Sequence, residues 1–290
     1  MTLGKAEAIA HGAATIINAI ATGKGAAFGV DLWTKAEVKL TDEPQIIKEI
    51  TSDPAESTVL VERTVVRVLQ HFKVDKQFGA KVKTWSNIPI ARGLKSSSVA
   101  ANAVALATVA ALGKSLDDLS VVSLGVDAAF DAKVTITGAF DDACASYFGG
   151  VVVTDNLKRK IVKRSTLPES LTVLFHVPSK KAYTGNLDAA RLRTVAPLVK
   201  IAYNEALKGN FWTALSLNGI IYSSALGYDS SVAVDALSAG AVAAGLCGKG
   251  PAVTAVVSDD KIDQVKAALQ RHGGEVIQAR LNHEKAKVVT

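Results

Sequence analysis

Aromatic side chains are scarce, 6% of the 290 residues, and methionine occurs once. A core made with so few large rings has to be filled by Ala, Val, Gly and Leu, small side chains that interdigitate closely. Two cysteines, Cys144 and Cys247, lie far apart among small residues. That excludes a disulfide-stapled scaffold and reads as buried free thiols in a reducing compartment. The five histidines show no HxxxH or CxxC companion, so no zinc site is expected. The longest apolar run, Val99 to Leu112, has 14 residues and contains Asn102 and Thr108. It is too short to span a bilayer, and no membrane association is expected. Residues 8–21 are mildly apolar but follow Glu7 and lack a cationic leader, so the reading is a cytoplasmic protein. GxxxxGK[ST] is absent, which excludes a P-loop, and so is the GxSxG elbow. Gly23-Lys24-Gly25-Ala26-Ala27-Phe28-Gly29 misses the dinucleotide fingerprint by one residue.

What is present is the balance of a folded, water-exposed chain: 49% hydrophobic and 21% charged residues. The length allows one large domain or two smaller ones. Lys and Arg number 33 against 27 Asp and Glu, a net charge of +6. The basic residues are scattered, with no polybasic patch, so nucleic acid is not expected as a partner; an anionic small molecule suits the charge.

Val30 to Leu40 alternates as a strand, and Asp53-Pro54 with Glu56 gives a helix start. Val61, Val65, Val68 and Phe72 then form one stripe of an amphipathic helix. Gly79 to Trp85 reads as a strand. From Gly93 a serine-rich opening leads into a helix apolar almost all round, and another helix covers roughly 115–132. Strands are expected around Asp141-Asp142 and Gly149-Gly150. Charge rises over residues 156–170, and a domain boundary is placed near Pro168, giving 1–167 and 168–290. Beyond it, strands at 171–177, 251–258 and 275–280 and helices at 187–208, 210–226, 230–244 and 260–271 describe a small sheet covered on one face by helices.

Three segments carry chemistry. Pro89-Ile90-Ala91-Arg92-Gly93-Leu94-Lys95-Ser96-Ser97-Ser98 sets a glycine, two cations and three hydroxyls at a helix N-terminus, an anion site with a hydroxyl able to ligate magnesium. On the residues alone, an ordinary serine-capped core helix accounts for the run as well. Asp141-Asp142 is a pair of carboxylates in apolar surroundings, which need a metal, a cation or a proton, or else mark a surface turn. Gly248-Lys249-Gly250-Pro251 permits close approach of backbone to a ligand, or serves as a helix cap and turn.

In this order and spacing the segments resemble the three motifs of the galactokinase–homoserine kinase–mevalonate kinase–phosphomevalonate kinase (GHMP) superfamily. The phosphate loop P-x-x-x-G-L-x-S-S is matched by Pro89 to Ser97, the aspartate seven residues before a glycine by Asp142 and Gly149, and the G-x-G-P turn by Gly248 to Pro251. Gly-Leu-Lys-Ser-Ser-Ser and Thr-Gly-Ala-Phe-Asp-Asp-Ala resemble the archaeal-type shikimate kinases within it. The resemblance implies an α+β fold of two domains, a ribosomal-S5-like ATP-binding one (1–167) and a ferredoxin-like one (168–290). It implies transfer of the ATP γ-phosphoryl group to the 3-hydroxyl of shikimate, with ATP and Mg2+ as cofactors, in a monomer or homodimer.

By the same resemblance Pro89 through Ser98, with Gly248 and Gly250, bind ATP. Ser97 meets magnesium, Asp142 is the catalytic aspartate at the substrate hydroxyl, and Asp131 stands where relatives place a metal-binding glutamate. Arg193, four residues before Pro197, is the candidate clamp for a substrate carboxylate. A homoserine or other small-alcohol kinase, and a non-catalytic nucleotide- or sugar-binding homologue, are the alternatives.

Overall fold

A computed structural model describes residues 4–54, 56–90, 92–168, 170–179 and 189–289. Two sheets organise them. The first has seven strands, with the path β11-β1-β2-β4-β3 and with β5 on β2 and β6 on β5. Its strands are β1 (Lys5–Ile17), β2 (Lys24–Thr41), β3 (Ile46–Ile50), β4 (Gly79–Ser86), β5 (Val151–Asp155), β6 (Lys160–Ser165) and β11 (Lys287–Val288). β2 is long enough to serve two neighbours on one edge: Lys24–Phe28 pairs with β5 and Thr34–Thr41 with β4. Alternation orients the sheet, since Ala6, Ala8 and Ala10 of β1 and Ala36, Val38 and Leu40 of β2 are buried.

Four helices cover the buried face: α1 (Val59–His71), α2 (Ser96–Ala111), α3 (Asp118–Asp131) and α4 (Phe140–Phe148). α2 lies on β1 and β2 with α1, α3 and α4 against it. It is apolar almost all round, as its central place requires. Its one buried amide, Asn102, donates from Nδ2 to the carbonyl of Ala143 at 2.8 Å and ties α2 to α4. Gly125 of α3 sits against Ala101, where a Cβ would come 3.2 Å from the alanine methyl, so the two helices meet through their smallest residues.

The second sheet is antiparallel, in the order β10-β7-β9-β8: β10 (Glu275–Arg280), β7 (Leu171–Val177), β9 (Val253–Ser258) and β8 (Ala243–Leu246). The chain adds α5 (Ala189–Thr194), α6 (Ala196–Lys208), α7 (Phe211–Leu226), α8 (Ser231–Ser238) and α9 (Ile262–Gln270). One face, with Leu174, Val253, Ala255 and Val257, packs on Ala233 and Ala236 of α8 and Val265 and Leu269 of α9. The opposite face, with Val173, Phe175 and Val256, joins the large cluster that includes α6, α7 and the first sheet. The sheet is therefore packed on both faces rather than one. Phe28 of β2 meets Trp212 of α7 edge to face, at 5.6 Å between ring centroids, a contact joining the two halves.

Two further sequence expectations are corrected. Asp141 and Asp142 lie in the first turn of α4, not between strands, because Gly138 and Ala139 take positive φ (81° and 48°) and turn the chain into a helix. The helix expected over 230–244 stops at Ser238, where Gly240 at φ 100° lets the chain reverse into β8. Pro168 lies in the connection from β6 to β7, and β11 returns to pair with β1. Among the described residues no helix is long and apolar enough to cross a membrane.

Candidate active site

The start of α2 is shaped by two residues in left-handed conformations. Gly93 has φ +90°, and a Cβ there would come 2.8 Å from the carbonyl oxygen of Cys247. Lys95, at φ 64° and ψ 18°, is the N-cap. A non-glycine residue in that region costs about 1–2 kcal/mol, so something at position 95 has to justify the side chain. The Lys95 carbonyl accepts from the amides of Ser98 (3.0 Å) and Val99 (3.3 Å). Among the described residues no side chain caps the helix, which leaves the amides of Ser96 and Ser97 directed outward with the positive end of the helix dipole.

The Lys95 ammonium provides the justification. Its Nζ lies 2.9 Å from Oδ2 of Asp142, and the two side chains are 12% and 9% exposed. Burial is the largest single influence on Lys95 and pulls its pKa down, but Asp142, with Cys247 and Asp141 behind it, outweighs burial and holds the ammonium above its ordinary value. The other oxygen of Asp142, Oδ1, is buried with no hydrogen-bond partner among the described residues. Asp141 turns the other way: its Oδ1 accepts from Nδ2 of Asn156 at 2.8 Å, and Oδ1 of Asn156 accepts from Oγ1 of Thr154 at 2.7 Å. Gly25 of β2 backs that carboxylate so closely that any Cβ there would overlap it. Burial and the charge of Asp142 push the Asp141 carboxyl up to about 7, against the pull of Lys95 and Asn156. The adjacent carboxylates thus differ: one faces a cation, the other is held well above the ordinary carboxylate range by burial.

The glycine turn closes the third side. Gly248 and Gly250 have φ of 60° and 73°. The turn is fastened at several points: Nδ2 of Asn18 donates to the Gly248 carbonyl at 2.8 Å, and the Gly248 amide donates to Oγ1 of Thr15 at 2.9 Å. The Gly250 amide donates to the Cys247 carbonyl at 2.9 Å, and the Ala252 amide reaches the Arg92 carbonyl at 3.2 Å. Gly248 touches the ion pair, since a Cβ there would lie 2.5 Å from Lys95 Nζ. Burial, then Lys95, pull the Lys249 ammonium down to about 8, opposed by Asp142.

These walls enclose a cavity of about 380 Å³. Of the sequence-predicted residues, Ile90, Gly93, Lys95, Ser96, Ser97, Ser98, Asp142, Gly248 and Gly250 line it. Pro89 and Arg92 are not in the lining; the Arg92 guanidinium donates to the Pro178 carbonyl. Leu94 is buried in the core. Ala91 lies outside the described residues. Asp131 is not brought to the site: it ends α3, and Arg67 of α1 takes both its oxygens at 2.5 and 2.6 Å. Arg67 also holds its carboxyl below the usual range. Arg193 follows the buried Leu192 and so projects from the exposed side of α5, without lining the cavity. Sequence reasoning missed Asn18, Asn156 and Lys249, of which only Lys249 carried a local signal, its position between two motif glycines.

A magnesium ion held beside phosphates needs hard oxygen donors, few of them from protein. The hydroxyl of Ser97, at the cavity wall, fits that requirement. Among the described residues no group of three or more His, Cys, Asp or Glu could hold a metal by itself.

A family model for the N-terminal domain of GHMP kinases matches residues 60–150, which run from α1 to the end of α4. The chain resembles the homoserine kinase of Cytophaga hutchinsonii with a TM-score of 0.76 at 17% identity, over 100% of this chain and 98% of that one. It resembles the mevalonate kinase of Methanococcus jannaschii with a TM-score of 0.74 at 16% identity, over 97% and 99%. These similarities show the α+β GHMP fold. Nearer in sequence are shikimate kinases: that of Methanosarcina mazei is 45% identical over 289 residues, 99% of this chain and 97% of its own. That of Pyrococcus abyssi is 44% identical over 252 residues, 86% and 90%. With identity of this order along nearly the whole chain, and with the serine-lined helix start, the α4 aspartates and the glycine turn gathered on one cavity, the protein belongs to the archaeal shikimate kinase family of the GHMP fold.

Proposed function

We propose that the protein transfers the γ-phosphoryl group of ATP to the 3-hydroxyl of shikimate. The observation that carries the mechanism is the Lys95–Asp142 pair, buried and opening onto the serine-lined start of α2 in the same cavity. Phosphoryl transfer depends on in-line positioning and on neutralising charge at the phosphates more than on covalent chemistry. Ser96, Ser97 and Ser98 offer amides and hydroxyls to phosphate oxygens, with Gly93 letting the loop lie flat against the turn. Ser97 would hold the magnesium, which supplies further neutralisation of the phosphates when bound.

The unpartnered Oδ1 of Asp142 is the acceptor for the substrate hydroxyl proton. Lys95 pairs with the other oxygen of that carboxylate, and its ammonium adds positive charge where the transferred group passes. Asp141 and Asn156 fix the first turn of α4 from behind. Gly248 and Gly250 complete the nucleotide wall. We take 1–167 and 168–290 as the two working units, joined by the shared core.

The test is ADP release by purified protein with Mg-ATP, scanning shikimate, homoserine, mevalonate and galactose in parallel. Turnover with shikimate alone is expected. Turnover with another alcohol and not shikimate overturns the acceptor, and nucleotide binding with no turnover on any of them overturns the reaction.

A further inference from the structure

Lys249 belongs to no motif position that the function above uses, yet its side chain lines the same cavity as Lys95, Asp142 and the three serines. We propose that Lys249 is a catalytic residue whose ammonium contacts the phosphate chain of the bound nucleotide. The inference rests on the kinase reading and extends it to one more cation.

The turn that carries Lys249 cannot drift from the phosphate loop. Its ends are hydrogen-bonded to Thr15, Asn18 and the Arg92 carbonyl, and the flanking glycines pack on Gly93 and on Lys95 Nζ. A side chain leaving the turn between those glycines therefore meets the cavity where it borders the loop, and the phosphates of a nucleotide seated on the α2 start are the anions nearest to it. The acceptor end of the cavity lies at Asp142, where Lys95 already stands. The charges acting on Lys249 are Lys95 from α2 and Asp142 from α4; Asp141 of α4 and Glu56, from the segment before α1, line the same cavity, and Tyr228 lies behind the turn at Gly250. Two ammonium groups line one cavity with the uncapped amides and the hydroxyls of the α2 start, a set of donors suited to a polyanion. Burial and Lys95 hold the Lys249 ammonium down, and a triphosphate arriving there draws a proton onto the amine.

The experiment titrates a non-hydrolysable ATP analogue with magnesium into the full chain by calorimetry at pH 8, in two buffers of unlike ionisation heat, for wild type, Lys249→Arg and Lys249→Met. Arginine keeps the charge and cannot take up a proton. The wild type is expected to take up about half a proton more than Lys249→Arg, the neutral fraction of an amine titrating at about 8. Asp141 and the phosphate itself contribute equally to both and cancel. Lys249→Met is expected to lower nucleotide affinity and kcat/KM for ATP about 10- to 100-fold, the range of one charge-assisted contact, with Lys249→Arg recovering most of it. Equal proton uptake in wild type and Lys249→Arg, or a Lys249→Met protein whose change is confined to KM for the acceptor, overturns the proposal. If the wild type shows no turnover with shikimate, the reaction reading fails separately, because the nucleotide titration still decides where Lys249 acts.

Discussion

Replacing Lys95 by Met keeps the length of the side chain and removes its charge, leaving Asp142 with neither oxygen partnered in a site where it is 9% exposed. Breaking a buried ion pair by taking one member away costs about 3–5 kcal/mol, because the remaining charge is stranded. At about 2–4 °C per kcal/mol for chains of 150–250 residues, the expected fall in Tm is about 6–20 °C at pH 8. A stranded carboxylate relieves itself by taking up a proton, so the deficit should shrink as the pH is lowered towards 5. Combining Lys95→Met with Asp142→Asn removes both charges and should recover at least half of the loss, although both proteins lack turnover. Thermal unfolding followed by circular dichroism across that pH range measures all three. A fall of less than about 2 °C for Lys95→Met, or a double variant no more stable than the single one, refutes the view that the pair is a buried, mutually dependent unit.

Asp142→Asn should lower kcat at least 10²-fold, the low end for a lost general base, with nucleotide affinity little changed; a value within threefold of wild type removes Asp142 from the chemistry. Asp141, raised from 3.8 to about 7, holds a proton in the folded protein that the unfolded chain releases, so its contribution to stability declines as pH rises from about 4 to about 7. Asp141→Asn keeps the hydrogen bond from Asn156 and removes that decline, so its Tm should gain on wild type between pH 5 and pH 8. A gain that shrinks with rising pH would contradict this. Asp131→Asn should leave the magnesium dependence of turnover within twofold of wild type, since Arg67 occupies that carboxylate, whereas Ser97→Ala should shift it; titrating magnesium at fixed ATP separates them. Gly93→Ala should destabilise by more than 1 kcal/mol in denaturant unfolding, because its φ of +90° and the Cys247 carbonyl both oppose a methyl group.

The parts of the molecule that announce themselves in sequence are those whose local rule and tertiary role agree. The serines ahead of Val99 open a helix because hydroxyls and glycine suit a helix start, and an all-apolar helix has to be central. Strand β1 was invisible for the opposite reason. The buried positions of its first half are alanines, which alternate correctly with Lys5, Glu7 and Ile9 but carry weak strand preference; the neighbours β2 and β11 make it a strand. Strand β8 hides behind a helical-looking alanine run, broken by Gly240. At the site, the motifs located Asp142 and the loop, but the spacing between residues 95 and 142 says nothing about their contact. Asp131 and Arg193 lie away from the cavity because position along a helix relative to a motif does not fix the face: Arg67 from α1 pairs with the first, and the buried Leu192 turns the second outward.

The left-handed backbone at Lys95 sets two demands on one position. Glycine or asparagine would relax the backbone but supply no cation, and arginine would bring the charge in a wider, forked head than the ammonium that sits against Gly248. Gly248 in turn remains glycine because its φ is positive and because a Cβ would strike the lysine ammonium. Neither position has a neutral single step open to it. Lineages that changed the cation at 95 would have to alter 248 in the same stroke, so the two positions, 153 apart in the chain, should show epistasis in a combinatorial library, with active pairs found off the additive expectation.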